Sequence, residues 1–360
     1  MIIDRFVKIL SRSMIAISIF TAVATTHAYS QTMHQSLAGN ALWATYKSRF
    51  VSERGAVVDN VNNGISHSES QGYGMLLALA ANDKEAFARI YRFAQSELSR
   101  RGDALFAWRY DPSKDNAVSD TNNASDGDLL IAWALLEAAA IGWNQSYEKS
   151  GMAILNDLKT QIKSFASLGL VLSPGEKGFE NEDGTLVINP SYWIYPAFER
   201  LAVLTENRDW LRLSHTGEHI VAQFLAKPKQ LIPDWASVTA KSTNVKFAEG
   251  KSSVFGYESI RVPLYLMMAG KTDKEQAFEI LNRAAGNSSG KISRLNAESG
   301  KPEGVFNDHG YTAILQLAAC LKDGTPIHSE YATRLDTNYY PATLQLLALA
   351  TANRSNKKCL

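Results

Sequence analysis

The sequence of 360 residues has two cysteines, no excess of charge of either sign and a single long apolar run. Two cysteines cannot form a disulfide framework, and neither lies in a Cys/His cluster with metal-ligand spacing. Cys320 lies in an apolar stretch typical of a buried residue, and Cys359 lies next to the C-terminus. The sequence permits one disulfide between them but does not require it. The net charge of +1 excludes bulk electrostatic attraction to nucleic acid or anionic lipid. The 45% apolar fraction excludes disorder, so the chain needs a hydrophobic core.

The one long apolar run lies close to the N-terminus, at residues 14–23, directly after three basic residues. Small residues follow it and lead to Ala28. About ten apolar residues are too few to cross a bilayer roughly 30 Å thick, so the segment predicts a signal peptide cleaved after Ala28 rather than a membrane anchor. We therefore expect residues 1–28 to be a signal peptide and residues 29–360 to be a nearly neutral mature chain in the periplasm or outside the cell.

From about residue 36 onward, amphipathic helices alternate with long polar breaks. Roughly a dozen helices are predicted, including an almost wholly apolar one at 127–141, which should be buried, and a long one at 145–167. The breaks could hold short β-hairpins, with residues 186–188 as one candidate strand. Alternating βαβ units and solenoid repeats are absent, which disfavours a doubly wound sheet or a solenoid. The pattern predicts one all-α domain of paired helices, such as an α/α toroid, with functional loops at one end.

Two segments place carboxylates at the start of apolar helices. Glu69 precedes one such helix, where it could act as a general acid or simply complement the helix dipole. Asp126 is positioned to cap the helix at 127–141, and Asp128 falls in its first turn. A capping carboxylate can also hold a sugar hydroxyl or a water. Taken alone, each segment is explained at least as well by a structural role at the start of a helix as by a role in catalysis or binding.

A third segment lies at the start of the helix predicted over 256–269. Glu258 and Arg261 are three residues apart, so an ion pair on one helix face is the structural interpretation. The functional interpretation is a catalytic base held by Tyr257 and Arg261, opposite an acid from another helix. The segment by itself favours the ion pair.

Together these segments resemble family 8 of the glycoside hydrolases, in particular the endoglucanases of bacterial cellulose-synthesis operons. The stretch Ala-Ser-Asp-Gly-Asp-Leu-Leu-Ile-Ala-Trp at 124–133 looks like the diagnostic motif of the family. Further segments resemble family landmarks in the same order, at 68–75, 189–192, 233–235 and 257–263. The resemblance covers nearly the whole mature chain. It implies an (α/α)6 barrel with a substrate cleft at the N-terminal ends of the helices, long loops and no required cofactor or metal.

The resemblance implies that the enzyme cuts β-1,4 links inside a chain with inversion of configuration. Glu69 matches the general acid, and Asp126 matches the carboxylate near the cleaved sugar. Glu258 matches the base, although the usual residue there is Asp. The acid–base gap of an inverting enzyme is roughly 6.5–9.5 Å, which tolerates the extra methylene of Glu. Other branches of the family take the base from a loop, so three loop residues stay open as alternatives: Asp111, Asp115 and Asp120.

Aromatic residues in the loops are typical of a glucan site, because the apolar face of glucose stacks on indole and phenol rings. The substrate-binding candidates are Trp108, Tyr192, Trp193, Trp235, Tyr257, Arg261 and Tyr340. Packing at the end of the barrel is the alternative for the loop aromatics. Trp133 and Trp143 lie in or just beyond an apolar helix and are expected in the core.

The leading hypothesis is a monomeric, exported endo-β-1,4-glucanase whose partner is a β-1,4-glucan. The resemblance alone suggests an association with cellulose-synthesis export machinery. A chitosanase or xylanase of the same family is the nearest alternative. A non-catalytic glycan-binding subunit is the alternative from another class, but carboxylates at all three matched positions argue against it.

Overall fold

The computed structural model of the chain describes residues 32–270, 275–286, 290–355 and 358–360. The predicted signal peptide at residues 1–28 lies outside them. Residues 33–360 form one compact unit, and its described part contains twelve α-helices and ten short strands. No helix among the described residues has the length and hydropathy needed to cross a membrane.

The helices alternate between an inner and an outer ring. In chain order they are α1 (Ala41–Phe50), α2 (Ser68–Ala80), α3 (Lys84–Phe93), α4 (Ser125–Ala140), α5 (Ser146–Leu158), α6 (Tyr195–Leu204), α7 (Asp209–Leu225), α8 (Arg261–Met268), α9 (Glu275–Ala285), α10 (His309–Asp323), α11 (Ser329–Thr333) and α12 (Tyr339–Arg354). The even-numbered helices form the inner ring. Four of them, α2, α4, α8 and α12, are buried on almost every face, as expected for helices without a polar side.

Contacts between neighbouring helices close the ring. Helix α2 packs on α4, α4 on α6, α6 on α8 and α8 on α12, and α12 packs on both α10 and α2. Each of the first four inner helices also packs on the outer helix that follows it in the chain. This arrangement is an (α/α)6 barrel, so the predicted fold class is confirmed.

Short antiparallel strands lie in the connections between helices. They are β1 (Ser66–His67), β2 (Arg109–Tyr110), β3 (Ile162–Phe165), β4 (Gly169–Leu172), β5 (Thr185–Ile188), β6 (Ala236–Thr239), β7 (Lys246–Phe247), β8 (Val254–Phe255), β9 (Ser293–Asn296) and β10 (Pro302–Val305). The pairs are β1–β2, β3–β4, β5–β6, β6–β7, β8–β9 and β9–β10. The predicted strand at 186–188 is therefore confirmed as part of β5.

Three predicted helix starts or ends are wrong. The helix predicted over 145–167 ends at Leu158, because the following residues pair with β4 as strand β3. Asp126 is not the cap of α4: the N-cap is Ala124, and the Asp126 carboxylate accepts a hydrogen bond from Gly127 N inside the first turn. The helix predicted from residue 256 begins at Arg261, so Glu258 lies in the turn before it.

The two cysteines are bonded to each other. Cys320 on α10 and Cys359 near the C-terminus form a disulfide, and both residues are buried. The bond ties the end of the chain to an inner helix. The buried position expected for Cys320 is confirmed, and the disulfide that the sequence left open is present.

Candidate active site

The inner helices bring acidic residues together at one mouth of the barrel. Glu69 is the second residue of α2, Asp126 is the second residue of α4, and Arg261 is the first residue of α8. Glu258 lies in the turn that leads into α8. Helix N-termini carry partial positive charge, so this end of the barrel favours carboxylates.

Arg261 lies between the carboxylates and sorts them into two groups. Its Nη1 contacts Glu69 Oε1 and lies 3.3 Å from Asp126 Oδ2. Its Nη2 contacts Glu258 Oε2 and donates to Ser191 Oγ at 2.6 Å. Glu69 and Glu258 therefore contact different terminal nitrogens of the same guanidinium group.

Burial makes the charge balance of this cluster unfavourable when every carboxylate is ionised. The side chains of Asp126 and Arg261 are each 2% exposed, whereas those of Glu69 and Glu258 are 21% and 37% exposed. Burial and the neighbouring charge of Glu69 hold the pKa of Asp126 well above its usual range. Three carboxylates share one guanidinium, so the cluster retains a proton under conditions where isolated aspartates are ionised.

The turn that carries Glu258 is held from two sides. Asn189 Nδ2 and Ser191 Oγ, which lie just before α6, are 3.1 and 3.4 Å from Glu258 Oε2. On the other side, Asp234 Oδ1 accepts hydrogen bonds from Gly256 N, from Ser259 N and from Ser259 Oγ. These bonds explain why residues 256–260 form a turn rather than the first turn of α8.

Close contact between α2 and α4 sets the positions of Glu69 and Asp126. A Cβ atom added to Gly127 would lie 2.1 Å from Ser68 Oγ and 2.7 Å from Glu69 N. Only glycine permits this approach, so the first turns of the two helices touch where their acidic residues project.

Two residues near Glu69 were missed as candidates in the sequence. His67 is the N-cap of α2, and its Nδ1 accepts a hydrogen bond from Ser70 N and lies 3.8 Å from Glu69 Oε2. Burial lowers the pKa of His67 to about 4, so the ring is neutral and its Nε2 carries the hydrogen. Tyr73, one turn further along, has its hydroxyl 3.4 Å from Arg261 Nη1. Its i+4 spacing from Glu69 becomes a signal only because α2 begins at Ser68, before Glu69, whereas the sequence pattern places Glu69 ahead of the helix.

Two hollows lie at this end of the barrel, and the first has Glu69, Glu258 and Arg261 in its lining. The Tyr340 hollow has a volume of about 400 Å³, and the Trp108 hollow has a volume of about 640 Å³. The first is lined by Asp59, Asn62, His67, Glu69, Tyr257, Glu258, Arg261, Asp308 and Tyr340. The second is lined by Asn63, Trp108, Arg109, Asp111, Lys114 and Asp120. Successive residues, Asn62 and Asn63, line different hollows, so the two are neighbours along the mouth.

The aromatic candidates occupy different positions. Trp108 lines its hollow and donates from Nε1 to Asp120 Oδ2 at 2.8 Å. Tyr257 is 50% exposed in the other hollow, where Tyr340 donates to its carbonyl oxygen at 2.6 Å. The Cζ atom of Arg261 lies over the Tyr192 ring, 5.8 Å from the ring centroid.

Trp193 does not belong with these residues. Its ring is 1% exposed and donates from Nε1 to Leu213 O at 2.9 Å. A ring without an exposed face cannot stack on a sugar, so Trp193 packs in the core and its prediction as a substrate-binding residue is wrong. Trp235 is partly exposed, stacks on Phe179 with ring centroids 6.0 Å apart, and has Lys251 Nζ over its ring at 5.2 Å. Trp133 is buried, as predicted.

Two of the three loop aspartates that could replace Glu258 as the base lie outside the cluster. Asp111 and Asp120 line the Trp108 hollow, where Asp111 pairs with Arg109 and Asp120 holds Trp108. Neither contacts Arg261. Among the described residues, no group of three or more His, Cys, Asp or Glu side chains is arranged to hold a metal ion.

Three carboxylates around one arginine at the mouth of an (α/α)6 barrel indicate a glycoside hydrolase. Residues 17–353 match the family described as glycosyl hydrolases family 8. The chain belongs to this family, and the resemblance found in the sequence is confirmed.

Relatives and solved structures agree with the assignment. An endoglucanase of Cellulomonas uda is 35% identical over 257 residues, which cover 71% of this chain and 68% of the relative. A probable endoglucanase of Novacetimonas hansenii is 36% identical over 227 residues, covering 63% and 66% of the two chains. The alignments therefore span about two thirds of these relatives' own lengths.

Similarity to solved structures extends over most of both chains. The family 8 endoglucanase Cel10 from Klebsiella pneumoniae has a TM-score of 0.77 and 31% identity, covering 88% of this chain and 100% of that one. The endo-β-1,4-glucanase CMCax from Acetobacter xylinum has a TM-score of 0.76 and 30% identity, covering 89% and 98%.

Proposed function

We propose that this chain is an endo-acting hydrolase of β-1,4-glucosidic bonds in cellulose-like glucans, working with inversion of the anomeric configuration. The observation that carries the proposal is the arrangement around Arg261, whose two terminal nitrogens contact Glu69 and Glu258 separately. The relatives support the substrate class, since they are named endoglucanases and CMCax is named an endo-β-1,4-glucanase.

In the proposed reaction, Glu69 donates a proton to the glycosidic oxygen as the bond from the anomeric carbon to the leaving sugar breaks. Glu258 takes a proton from a water molecule whose oxygen bonds to the anomeric carbon from the opposite face. Glu69 ends ionised and Glu258 ends protonated, and exchange with solvent restores both. Asp126 orients the water and the distorted sugar. The 37% exposure of the Glu258 side chain leaves it open to water.

Inversion is the stereochemical outcome that the resemblance to family 8 of the glycoside hydrolases implies. Retaining enzymes hold their carboxylates roughly 5–5.5 Å apart, whereas inverting enzymes leave roughly 6.5–9.5 Å for a water molecule. Glu69 and Glu258 contact different terminal nitrogens of Arg261, and the anomer of the first product distinguishes the two mechanisms.

The two hollows provide room for sugar units at and beside the cluster. Trp108 in one hollow, with Tyr257 and Tyr340 in the other, presents aromatic surface to a glucan. Tyr192 and Trp235 extend this aromatic surface, and their rings are 6.5 Å apart. Aromatic rings spread over two neighbouring hollows suit a ligand longer than a single sugar unit.

Export to the periplasm or the medium is part of the proposal. The disulfide between Cys320 and Cys359 supports an oxidising compartment, because the cytosol keeps such thiols reduced. The signal peptide at residues 1–28, the monomeric state and an association with cellulose-synthesis export machinery stay predictions from the sequence.

The test is release of reducing ends from carboxymethylcellulose, chitosan and xylan by the purified protein. We expect activity on the cellulose derivative and a loss of about 10³-fold in Glu69→Gln and Glu258→Gln, within the usual range for general acid–base groups. Glu279→Gln, a matched change on the outer helix α9, should retain activity.

The other outcomes each contradict a separate part of the proposal. Near-normal activity of Glu258→Gln would move the base to a loop aspartate. A preference for chitosan or xylan would overturn the substrate class, and inactivity on all three polymers would favour the glycan-binding alternative. The proposed inversion requires the α-anomer as the first product observed by NMR.

A further inference from the structure

A buried acidic residue that the proposed reaction does not use lies in the same helical turn as Asp126. Asp128 on α4 is 0% exposed and follows Asp126 by two positions. Its Oδ1 accepts a hydrogen bond from Phe106 N at 2.9 Å, and its Oδ2 accepts one from Asn123 Nδ2 at 2.8 Å. Both donors are uncharged. A fully buried carboxylate with two neutral donors is costly to keep, which calls for an explanation beyond helix capping.

The two donors hold the ends of the segment that carries Trp108. Phe106 lies two residues before Trp108, and Asn123 ends the polar stretch that returns the chain to α4. Asn123 Oδ1 in turn accepts hydrogen bonds from Gln161 Nε2 at 3.0 Å and from Glu176 N at 2.9 Å. The Asn123 side chain therefore cannot turn over to suit a changed partner without losing two other hydrogen bonds.

Hydrogen bonds within the segment from Phe106 to Asn123 hold Trp108 in place. Its backbone N donates to Asn122 O at 2.9 Å, and its Nε1 donates to Asp120 Oδ2 at 2.8 Å. Its carbonyl accepts from Ser68 N at 3.0 Å, directly before Glu69. A displacement of Phe106 or Asn123 would consequently move the indole ring relative to the cluster.

We propose that Asp128 is a positioning residue that holds Trp108 in place for sugar binding, through Phe106 on one side and Asn123 on the other. The inference rests on the proposed function, in which Trp108 stacks on a sugar unit. Both oxygens of a carboxyl group keep an accepting lone pair whether or not the group is protonated, so Asp128 satisfies both donors. An asparagine at this position presents one acceptor and one NH₂ group, so a donor must face a donor.

The defining experiment compares Asp128→Asn with the unchanged protein on cellohexaose. We expect KM to rise about tenfold and kcat to change less than twofold, because binding distant from the reacting bond is lost while the acid and base are unchanged. Calorimetric affinity for cellohexaose in a Glu69→Gln background should fall by a similar factor. A merely structural role would lower the active fraction, and hence kcat, at constant KM.

A double-mutant cycle tests the route through Trp108. We expect Asp128→Asn to add less than twofold to the KM of Trp108→Ala, since the contact that it positions is already gone. Combined with Tyr257→Ala in the other hollow, the same change should add its full factor. Equal factors in both backgrounds would overturn the proposal.

Matched variants cover the case in which Asp128→Asn does not fold. Asn123→Ala removes one anchor and keeps the carboxylate, and it should raise KM about threefold to fivefold in the same nonadditive way with Trp108→Ala. Asp157→Asn changes another carboxylate that accepts from this segment, at Ala104 N, and should leave KM unchanged. An unchanged KM in Asn123→Ala, or an equal rise in Asp157→Asn, contradicts the role of Asp128.

Failure of the proposed function remains distinguishable from failure of this inference. If Trp108→Ala leaves cellohexaose affinity unchanged, Trp108 does not stack on a sugar unit. The sugar-binding role of Trp108 in the proposed function and the positioning role of Asp128 are then both contradicted. If Trp108→Ala weakens binding while Asp128→Asn does not, only the positioning role falls. If the protein binds cellohexaose in the calorimeter but does not hydrolyse it, the proposed reaction is contradicted. The calorimetric affinities of the variants then decide on the role of Asp128.

Discussion

Two aspartates on one turn of α4 are both buried, yet their surroundings differ. Asp126 faces Glu69 and the Arg261 guanidinium, whereas Asp128 faces two neutral donors. Burial raises the pKa of Asp128 to about 7, and burial together with Glu69 raises that of Asp126. Asp126 thus belongs to a cluster of charged side chains, whereas Asp128, two residues later, accepts hydrogen bonds from uncharged groups.

The raised pKa of Asp128 predicts a specific pH dependence of stability. Between about pH 4 and pH 7 the folded protein holds a proton that the unfolded chain has released, so the free energy of unfolding falls as pH rises through this interval. The slope from one such group approaches about 1.4 kcal/mol per pH unit. We expect Asp128→Asn to flatten the slope measured by urea unfolding at pH 5, 6 and 7.

Asp126 contributes in the same direction, so the slope should decrease rather than vanish. The control is Asp209→Asn at the exposed start of α7, which should leave the slope unchanged. An Asp128→Asn protein with the full slope of the unchanged protein would show that Asp128 does not titrate in this interval.

Arg261 is expected to be irreplaceable by lysine. A guanidinium contacts the Glu69 side with one nitrogen and the Glu258 side with the other, whereas an ammonium is a single point of charge. We predict a loss of kcat of about 100-fold in Arg261→Lys, from misplaced carboxylates. Arg283→Lys on α9, which pairs with Glu279, should stay within twofold. Wild-type kcat in Arg261→Lys would contradict the bridging role.

At the scale of elements, the decisive contact is the one between the first turns of α2 and α4. Both helices are buried on nearly all sides, so neither can move outward without opening the core. Gly72 repeats the close approach one turn along, where an added Cβ would lie 2.4 Å from Leu130 Cβ. The spacing of Glu69 and Asp126 is therefore set by glycine.

Gly127→Ala tests this contact. We expect the free energy of unfolding to fall by about 1–3 kcal/mol, as for other overpacked sites, and kcat to fall as Glu69 is displaced. Gly142→Ala serves as a control for adding a methyl group where an added Cβ meets no atom within 4 Å, although its positive φ brings a cost in stability alone. Unchanged kcat in Gly127→Ala would mean that α2 adjusts without moving Glu69.

Element types were predictable where the apolar pattern was long. The apolar helix predicted over 127–141 was correct to within two residues at either end, although its cap was wrong, because a helix without a polar face is stable only when it is buried. The wrong extension of α5 through residue 167 arose because strand β3 is short and its pairing partner β4 decides its conformation. Local pattern does not contain that long-range pairing.

At the scale of the whole molecule, the disulfide joins the C-terminus to the far end of an inner helix. Cys320 follows His309 by eleven positions, which places it about 16 Å along α10 from the mouth. The bond spans a sequence separation of 39 residues. It restrains the unfolded chain and lies away from the carboxylates.

Replacing both cysteines by serine should therefore lower stability without affecting catalysis. We predict a decrease of about 3–4 kcal/mol in the free energy of unfolding, from the loop-closure entropy of the unfolded chain. The kcat at 25 °C should be unchanged. Reducing agent should destabilise the unchanged protein to the level of the double variant and have no further effect on that variant. Equal unfolding midpoints with and without the cysteines would contradict this prediction.

The sequence by itself determined the alternation of helices, the burial of the inner ring and the presence of acidic residues at helix starts, because these follow from local apolar periodicity and the chemistry of helix ends. Only the tertiary structure decided that Arg261 separates Glu69 from Glu258, that Trp193 is buried, and that Asp128 anchors the segment of Trp108. Glu69 and Arg261 are 192 positions apart in the chain. Contacts of this kind depend on how helices pack around the ring, and no local pattern records them.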